Sequence, residues 1–549
     1  MRPLFTLLLC LATTLPAAGQ SQDSLMKITF TLAPGPTLVT PTGAGGLAVR
    51  LSPRTQRRLA RHGQVSYRDF GAVGDGQTDD MDAIAAAHAY ANAQDLPVVA
   101  DPGATYYLGG SARTAVIQTD TDWGEATLLI DDRAVTDRMA PIFVVRSRQE
   151  AFSLTGITRL RRHQPRIEAD LPGPCLITVT NDAVRHYIRY GLNQDNGSPQ
   201  TDIFAVDAEG RVDMNAPIIW DFDQITDISA LPIDADTLHL RGGRFTTLAN
   251  AAESRYTYYS RNITIQRSRV VVDKLEHRIE GEGAQGAPYG GFLNIRDCAY
   301  VTVQNTLLTG HKTYMTIGAA GKPVPMGSYD LLVNRALNVS FVHCTQTNDI
   351  DDRTYWGILG SNYSKNLLYD HCVLSRFDAH KGVANATIRH STLGHMGINA
   401  IGSGTLTIEH SEIRGPSIVN LRSDYGSTWQ GDLIIHHCTL VPAGGRPVSA
   451  VLVSGSYSGK HDFGYPCYMP HRILIENLHI EDAQHPDDYA GPAIFADFNP
   501  EHTDASYQEA YPYTRTQEVI LRGVTTASGL PLRLSDNPYM FREVQVRRE

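Results

Sequence analysis

Long apolar runs are missing from this chain of 549 residues, apart from one short run near its start. A membrane-spanning helix needs about 18 or more consecutive apolar residues, so the sequence predicts no membrane span. Basic side chains are in the minority, because 48 Lys and Arg stand against 58 Asp and Glu, for a formal net charge of −10. A generic nucleic-acid partner or anionic membrane surface is therefore disfavoured.

Cysteine is scarce, with seven in the chain, and no Cys-x-x-C pair suggests a zinc site. Cys10 falls in the apolar run near the start, which leaves six cysteines spread over a large chain. This number is too small for a disulfide scaffold. We expect the following six to be mostly free and buried: Cys175, Cys298, Cys344, Cys372, Cys438 and Cys467.

The start of the chain has the pattern of a secretory signal peptide. Arg2 supplies a positive charge, residues 4–15 are apolar, and small residues precede Gln20. The apolar run is too short to cross a bilayer. The pattern predicts that residues 1–19 are a signal peptide and that the protein is exported, to become periplasmic or secreted.

The length exceeds what one compact core usually supports, which is about 250–300 residues. Short segments with alternating apolar residues recur instead, and each ends on a polar residue followed by a small one. Histidines mark these corners at positions 343, 371, 390, 410 and 437, with a mean step of 23.5 residues. Such a period predicts a parallel β-solenoid, in which stacked coils bury one continuous core.

The corner residues are expected to form two columns along this solenoid. The small residues should point inward, and they are Cys344, Cys372, Ser391, Ser411 and Cys438. The histidines beside them should form a second column. Because their position in the repeat already explains them, we expect this column to be structural rather than catalytic.

A second signal lies ahead of the repeat. Residues Phe70 to Asp80 read Phe-Gly-Ala-Val-Gly-Asp-Gly-Gln-Thr-Asp-Asp, and an alanine-rich helical stretch follows at 81–93. Thr78 or Asp79 can cap this helix. The segment resembles the N-terminal motif of the pectate lyase superfamily, which includes rhamnogalacturonase-like enzymes and phage tailspikes. The resemblance implies an all-β, right-handed parallel β-helix whose open end is covered by a capping helix.

These signals divide the chain into regions. A β-rich lead-in is expected at 20–65, the first coil with its capping helix at 66–110, an insertion or accessory β region at 111–235, and the remaining coils at 236–549. A long loop at 482–514 is expected to cover the groove. The lead-in carries a basic run that consists of Arg54, Arg57, Arg58 and Arg61.

Stacked coils bring residues at equal offsets from their corners into contact. Eight positions after successive small corner residues stand Tyr314, Asp352, His380 and Asn399. One position further stand Arg353 and Lys381. The repeat therefore predicts a row of four polar side chains with a basic row beside it.

This row suits β-elimination at a uronic acid, which needs a group that neutralises the carboxylate, a base for the C5 proton and an acid for the leaving oxygen. Lys381 and Arg353 are candidates for the neutralising group, and His380 for the base. The candidates for the acid are Tyr314, Tyr355 and His395. The candidate ligands of a calcium ion that would neutralise the carboxylate instead are Asp349, Asp351 and Asp352.

Inverting hydrolysis is the alternative, and it needs two carboxylic acids about 6.5–9.5 Å apart. Asp351, Asp352 and Asp378 are candidates because they fall on neighbouring coils. The Asp351–Asp352 pair and Gly394-His395 are similar to the pattern of polygalacturonase-like hydrolases. That family's Gly-His-Gly is Gly-His-Met here, and its later Arg-Ile-Lys is absent.

Tyrosine is plentiful, with 25 in the chain, and indicates wet surfaces that contact sugars. The candidate substrate contacts on and near the row are Tyr314, Tyr355, Trp356, Tyr363, Asn399, Tyr425 and Trp429. Arg422, beside Asp424, is a candidate for binding a carboxylate with two hydrogen bonds.

The leading hypothesis is an exported polysaccharide lyase that acts on a glycan containing uronic acids. An inverting glycoside hydrolase, an epimerase and a non-catalytic glycan-binding β-helix are the alternatives. Calcium is the candidate cofactor, and no oligomeric state is predicted. Because the net charge is −10, binding an acidic glycan requires positive charge concentrated locally, at Arg353, Lys381 and Arg422.

Overall fold

The computed structural model describes residues 27–549 except residues 44, 190, 192–193, 253–257, 285, 319–320 and 458–462. The predicted signal peptide at 1–19 lies outside the described residues. Within the described part, no helix has the length and apolar character that crossing a membrane requires.

Most of the chain forms one sheet of 28 strands that winds from one end of the molecule to the other. In its first half the strands are Val65–Ser66, Asp75–Asp79, Val98–Val99, Thr105–Leu108, Ala115–Ile117, Thr121–Asp131, Phe143–Arg146, Leu238–Leu248, Ile263–Gln266, Val270–Asp273, Glu276–Glu280, Gly290–Gln304, Leu307–Leu308 and Tyr329–Val342. In its second half they are Thr345–Gln346, Leu359–Asn362, Lys365–Asp370, Val373–Arg389, Thr392–Glu409, Glu412–Ile413, Ser417–Leu421, Trp429–Leu440, Val451–Ser454, Arg472–Ile480, Ala493–Phe495, Glu518–Arg522, Thr525–Thr526 and Gln545–Arg548.

The pairing within this sheet is parallel and connects successive coils. Leu367 pairs with Ala386, which pairs with Leu406 and then with Leu433, so that one residue per coil enters each ladder. Alternate residues of these strands are buried, and the buried ones are mostly Leu, Ile and Val. The predicted parallel β-helix is confirmed, because the coils bury a continuous apolar core by stacking.

The corner columns follow the predicted pattern. The five corner histidines have φ between 48° and 54°, a left-handed conformation, and their rings stack with centroids 4.7–5.1 Å apart. The small residues beside them point into the core. The prediction of free, buried cysteines is confirmed for all six described cysteines.

The lead-in forms a small unit before the first coil. Its strands are Ile28–Leu32, Leu38–Pro41 and Leu47–Leu51, and the last of these lies between the other two. Helix α1 follows at Pro53–His62, and a short 3-10 helix at Tyr67–Phe70.

Helix α2, Met81–Gln94, comes directly after the motif of residues 70–80. Asp79 accepts a hydrogen bond from the Met81 amide, and Asp80 accepts from the amides of Val73 and Gly74, so both aspartates serve local structure. Residues 83–88 of α2 are all buried, so the helix is covered on every side, and it contacts both the first coils and the lead-in strands. Its role as a cap of the solenoid stays a prediction.

An antiparallel sheet lies beside the coils, and we call it the accessory sheet. Its strands are Phe152–Ser153, Cys175–His186, Ser198–Val206 and Asp227–Pro232. Residues 115–146, predicted to lie in the accessory region, instead supply strands of the coil sheet. The long insertion that follows them interrupts the repeat, which hides their coil character in the sequence.

The remaining elements are short. A hairpin joins Tyr314–Ile317 to Pro323–Met326, and Cys467–Tyr468 pairs with Tyr513–Thr514. Two further 3-10 helices span Ser423–Tyr425 and Pro442–Gly444. The segment predicted as a loop at 482–514 contains Ala493–Phe495, a strand of the coil sheet.

A buried ion pair connects the accessory sheet to the coils. Lys365, on a coil strand, lies 2.8 Å from Asp202, on the accessory sheet, and both side chains are 1% exposed. The amides of Ile203 and Ile219 also donate to Asp202. Removing one member of such a pair leaves a buried charge uncompensated, so this contact holds the two layers together.

We expect Lys365→Met to lower the free energy of unfolding by about 3–5 kcal/mol, because Asp202 would stay buried without its cation. The double variant Lys365→Met/Asp202→Asn should recover part of that loss, since no charge is then left unpaired. Chemical denaturation measures both values. A double variant no more stable than the single one would contradict this account.

A second buried network lies among the earlier coils. His277 Nδ1 is 2.6 Å from Asp330 Oδ1, and His311 Nε2 is 3.2 Å from the same oxygen. Glu282 lies on the other side of the His311 ring, at 3.7 Å. Burial alone would lower the pKa of His311, but the Asp330 and Glu282 carboxylates outweigh it and raise the pKa to about 9.

Because this pKa exceeds the unfolded value of about 6.5, the charge on His311 stabilises the fold below pH 6.5, and the contribution disappears as the pH rises through 9. The stability difference between the wild type and His311→Gln should therefore shrink by about 3 kcal/mol between these two pH values. Denaturation at both pH values measures it. A difference that stays constant or grows would show that His311 is not protonated in the native state.

Candidate functional site

Cationic side chains converge where the accessory sheet meets the middle coils. We call this group the basic cluster, and its members are Arg189, Arg376, Asp378, His380, Lys381, Arg422, Asp424 and Tyr425. Within the strand Val373–Arg389, alternation places Arg376, Asp378 and His380 on the outer face. Lys381 follows on the same strand. Arg422, Asp424 and Tyr425 lie at the 3-10 turn Ser423–Tyr425, and Arg189 comes shortly after the strand Cys175–His186 of the accessory sheet.

A glycine allows the two layers to approach each other at this point. Gly382 has φ +58°, and a Cβ atom there would lie 2.7 Å from the Tyr187 hydroxyl. Tyr187 is buried, and its ring packs against those of Tyr363 and Tyr425. The close packing around Tyr187 brings Arg189, two residues further along the chain, to the coil surface.

Two carboxylates join the arginines into a network. Arg376 lies 2.5 Å from Asp378, and Arg422 lies 3.7 Å from the same carboxylate. Asp424 accepts from Arg422 at 3.0 Å and from Arg189 at 2.7 Å. Burial would raise the pKa of Asp424, but the two guanidinium groups outweigh it and lower the pKa. Both layers of the molecule therefore contribute to one ionised network.

The cluster carries excess positive charge. Three arginines are joined through two carboxylates, Lys381 lies beside them, and Asp195 is exposed. Arg189, Arg422 and Lys381 all lie against the ring of Tyr425, at 4.5, 5.4 and 5.8 Å from its centroid. Such an arrangement attracts an anionic group.

His380 is the central titratable group of the cluster. Its Nδ1 lies 2.9 Å from the Asn362 amide oxygen, which can only accept a hydrogen bond, so Nδ1 carries the hydrogen and donates. Its Nε2 lies 3.3 Å from the Tyr425 hydroxyl, and the phenol donates. Burial, followed by the charges of Arg422 and Lys381, lowers the pKa of His380 well below 6.5. The imidazole is therefore neutral at neutral pH, and its Nε2 lone pair accepts the hydrogen bond from Tyr425.

Lys381 lies at the accessory side of His380. Its ammonium donates to Ser198 Oγ at 3.4 Å. Burial lowers the pKa of Lys381. Tyr363, half-buried, lies beside Lys381, and Gly382 contacts its ring. The structure thus brings together six of the predicted site residues, which are Tyr363, Asp378, His380, Lys381, Arg422 and Tyr425.

The predicted row of equal offsets is wrong in register. Asn399 pairs with Asp378 and not with His380. The pairing of this strand is irregular between Leu374 and Arg376, where the neighbouring strand has two more residues, so Asn399 falls opposite Asp378; the original offset returns between Ala379 and Val383. Asn399 is buried and is held by Asn420 and by the Met396 carbonyl.

Two aromatic residues predicted to contact substrate do not reach the surface. Trp429 is fully buried and donates its indole N–H to the Gly404 carbonyl. Tyr314 is buried in a separate hairpin, away from the row in which it was expected. Tyr425 is also buried, but its hydroxyl reaches His380. Trp429 and Tyr314 are therefore core residues in this structure.

The acidic segment at 349–353 forms a second group, at the corner beside the basic cluster. Asp351 pairs with Arg414 at 2.7 Å, while Asp349 and Asp352 accept from nearby backbone amides. Burial, followed by the charge of Arg353, lowers the pKa of His395. Arg353 thus acts on His395, whereas the charges that act on His380 come from other residues, so Arg353 is not a member of the basic cluster.

Trp356 lies between the two groups, with its ring 5.4 Å from the Arg376 guanidinium. Tyr355 is half-buried in the same segment. In the described part of the chain, no three His, Cys, Asp or Glu side chains are arranged to hold a metal ion. Calcium at Asp349 and Asp351 stays a prediction.

Sequence reasoning missed two members of the basic cluster. Arg376 alternates with Asp378 and His380 on one strand, so the period of two could have found it. Arg189 comes from the accessory layer, 235 positions before Asp424, and no local pattern points to it.

No protein-family model matches the chain. A depolymerase specific for capsule KL64, from Klebsiella phage P510, is 30% identical over a segment that covers 19% of this chain and 13% of that protein. The chain thus spans a small part of this relative's length.

Two solved structures resemble most of the length of this chain, although their sequence identity to it is low. The tailspike gp61 of Pseudomonas phage phi297 has a TM-score of 0.53 at 14% identity, covering 87% of this chain and 83% of that one. The gp54 tailspike of Acinetobacter baumannii bacteriophage AP22, solved with a capsular saccharide, has a TM-score of 0.48 at 9% identity, covering 92% and 81%. The first similarity supports the β-helix fold.

We expect Lys381→Gln to raise the pKa of His380, because the variant removes a nearby positive charge that disfavours the imidazolium. NMR titration of the His380 ring in histidine-labelled protein measures this pKa. Lys274→Gln, an exposed lysine outside the cluster, is the matched control and should change nothing. A pKa that falls or stays the same in Lys381→Gln would show that the two side chains do not interact.

Proposed function

We propose that this chain is an exported polysaccharide lyase that cleaves a glycan containing uronic acids at the basic cluster. The observation that carries the proposal is a neutral histidine, hydrogen-bonded to a phenol, among four cationic side chains. The residue types match the needs of β-elimination: cations for the carboxylate, a base for C5 and an acid for the leaving oxygen.

The cations act on the substrate carboxylate. Lys381 and Arg422 lie against the ring of Tyr425, which contacts His380, and can bind that carboxylate; Arg189 adds a third positive charge at the same ring. Removing the C5 proton moves negative charge onto this carboxylate. Fixed positive charge in a largely buried site stabilises that charge in the transition state.

His380 and Tyr425 carry the proton transfers. Nε2 of His380 takes the C5 proton, the electron pair forms the C4–C5 double bond, and the C4–O bond breaks. The hydroxyl of Tyr425, which donates to Nε2 in the free protein, gives its proton to the leaving oxygen. Burial raises the pKa of Tyr425, so the phenol keeps the proton that this step requires. His380 passes its proton back to the phenolate afterwards.

The inverting-hydrolase alternative gains less from the geometry. Asp378 lies between two arginines and Asp351 pairs with Arg414. Both carboxylates are therefore bound by guanidinium groups of the protein, whereas inverting hydrolysis needs one carboxyl group at the glycosidic oxygen and the other at a water molecule. The positive charge around His380 also favours an acidic glycan over a neutral one.

The test is to incubate the protein with acidic and neutral polysaccharides, including bacterial capsular polysaccharides. Ultraviolet absorbance follows the new double bond, and a second assay follows new reducing ends. We expect both signals to rise together on an acidic glycan. Reducing ends without absorbance would show hydrolysis, and binding without either signal would show a glycan-binding protein.

Variants test the assigned base. We expect His380→Asn to lower kcat roughly 10²–10⁴-fold while the fold is kept, because the general base is lost. The matched control is His410→Asn, which changes a stacked corner histidine at a left-handed position where Asn is also found, as at Asn305 and Asn477. Full activity in His380→Asn, with cleavage intact in the control, would place the site elsewhere.

A further inference from the structure

Positive charge is also concentrated at the N-terminal end of the molecule. Residues 27–68 contain seven Lys and Arg and no Asp or Glu, in a chain whose net charge is −10. This segment comprises the lead-in strands and helix α1. A segregation of this kind marks a surface that meets an anionic partner.

Helix α1 carries most of this charge on one face. Its arginines recur at spacings of three and four and therefore share a face. We call them the arginine stripe: Arg54, Arg57, Arg58 and Arg61. All four are exposed, while Thr55 and Leu59 are buried on the opposite side of the helix.

The stripe does not stabilise its own helix. Arg54 and Arg58, and likewise Arg57 and Arg61, are like-charged pairs four residues apart, which repel each other. Arg54 also lies in the first turn, which contains no acidic residue, so it meets the positive end of the helix dipole. A role in packing or helix stability therefore does not account for these side chains.

Most of the stripe is available to a ligand. Arg58 pairs with Asp69. Within residues 27–549, apart from the gaps given above, no carboxylate forms an ion pair with Arg54, Arg57 or Arg61. Guanidinium groups bind carboxylates and phosphates through paired hydrogen bonds.

The stripe is far from the basic cluster. From Val65, just after α1, to the strand of Ala386–Arg389, the chain passes through eight parallel pairings. Neighbouring strands are about 4.8 Å apart, so the two sites are separated by roughly 40 Å along the solenoid. A short oligosaccharide cannot contact both, whereas a polymer chain can.

We propose that the arginine stripe is a second binding surface for an acidic polysaccharide, which it holds while the basic cluster acts on another part of the same chain. This inference rests on the proposed function for the identity of the ligand. Two cationic surfaces on an otherwise acidic protein favour the same anionic polymer. Binding at two linked points raises the affinity for long chains above that for short ones.

The experiment measures binding of a uronic-acid polymer to the full chain, in the His380→Asn background so that the ligand is not consumed. The stripe variant is Arg54→Gln/Arg57→Gln/Arg61→Gln. The control variant removes the same charge from exposed positions elsewhere, through Arg159→Gln/Arg241→Gln/Arg542→Gln. Circular dichroism and thermal unfolding verify that both variants fold.

We expect the stripe variant to bind the long polymer roughly tenfold more weakly and with a shallower dependence on salt, because one of two linked contacts is lost. Its binding of an oligosaccharide shorter than the separation of the two sites should not change. The control variant should bind both ligands as the parent does. Equal losses in the stripe and control variants would overturn the proposal, because a general charge effect would explain them.

Two further outcomes separate this inference from the proposed function. If the wild type cleaves no glycan but the stripe variant still weakens polymer binding, the stripe stands and the lyase proposal fails. If the stripe variant loses binding to phosphatidylserine vesicles and keeps its binding to the polymer, the ligand is an anionic lipid surface and the stripe proposal is overturned.

Discussion

Every feature of this molecule depends on the stacking of one parallel coil upon the next. A single coil cannot bury its inward Leu, Ile and Val side chains, and each such side chain contributes about 1.5–3 kcal/mol when it is fully buried. The corner residues repeat for the same reason, because a left-handed turn must return the chain at the same place in each coil. Outer-face residues are free to differ from coil to coil, so polar and charged side chains can occur there without disturbing the core.

The basic cluster forms because a second layer is fixed against these coils. The Lys365–Asp202 pair holds the accessory sheet, and the packing of Tyr187 on Gly382 brings Arg189 to Asp424. The resulting network is mostly buried, which keeps His380 neutral while positive charge surrounds it. The neutral imidazole and the fixed cations are both consequences of the same interface.

The repeat and its inward column could be predicted from the sequence, because the period of Cys344, Cys372 and Cys438 directly reflects stacking. The pairing of individual outer residues could not, since an irregularity between Leu374 and Arg376 moves His380 out of step with Asn399. Arg189 was unpredictable for another reason: it reaches the site through the accessory sheet rather than through the repeat. Trp429 shows that residue type alone does not assign a role, because an aromatic ring packs in the core as readily as it contacts a sugar.

The central claim is that the basic cluster breaks a glycosidic linkage by elimination, without adding water. Mass spectrometry of the products from a defined acidic oligosaccharide tests it most directly. The account predicts two fragments whose masses sum to that of the substrate, with the fragment bearing the new non-reducing end one water lighter than a saturated sugar chain. Fragments that together weigh one water more than the substrate would contradict it.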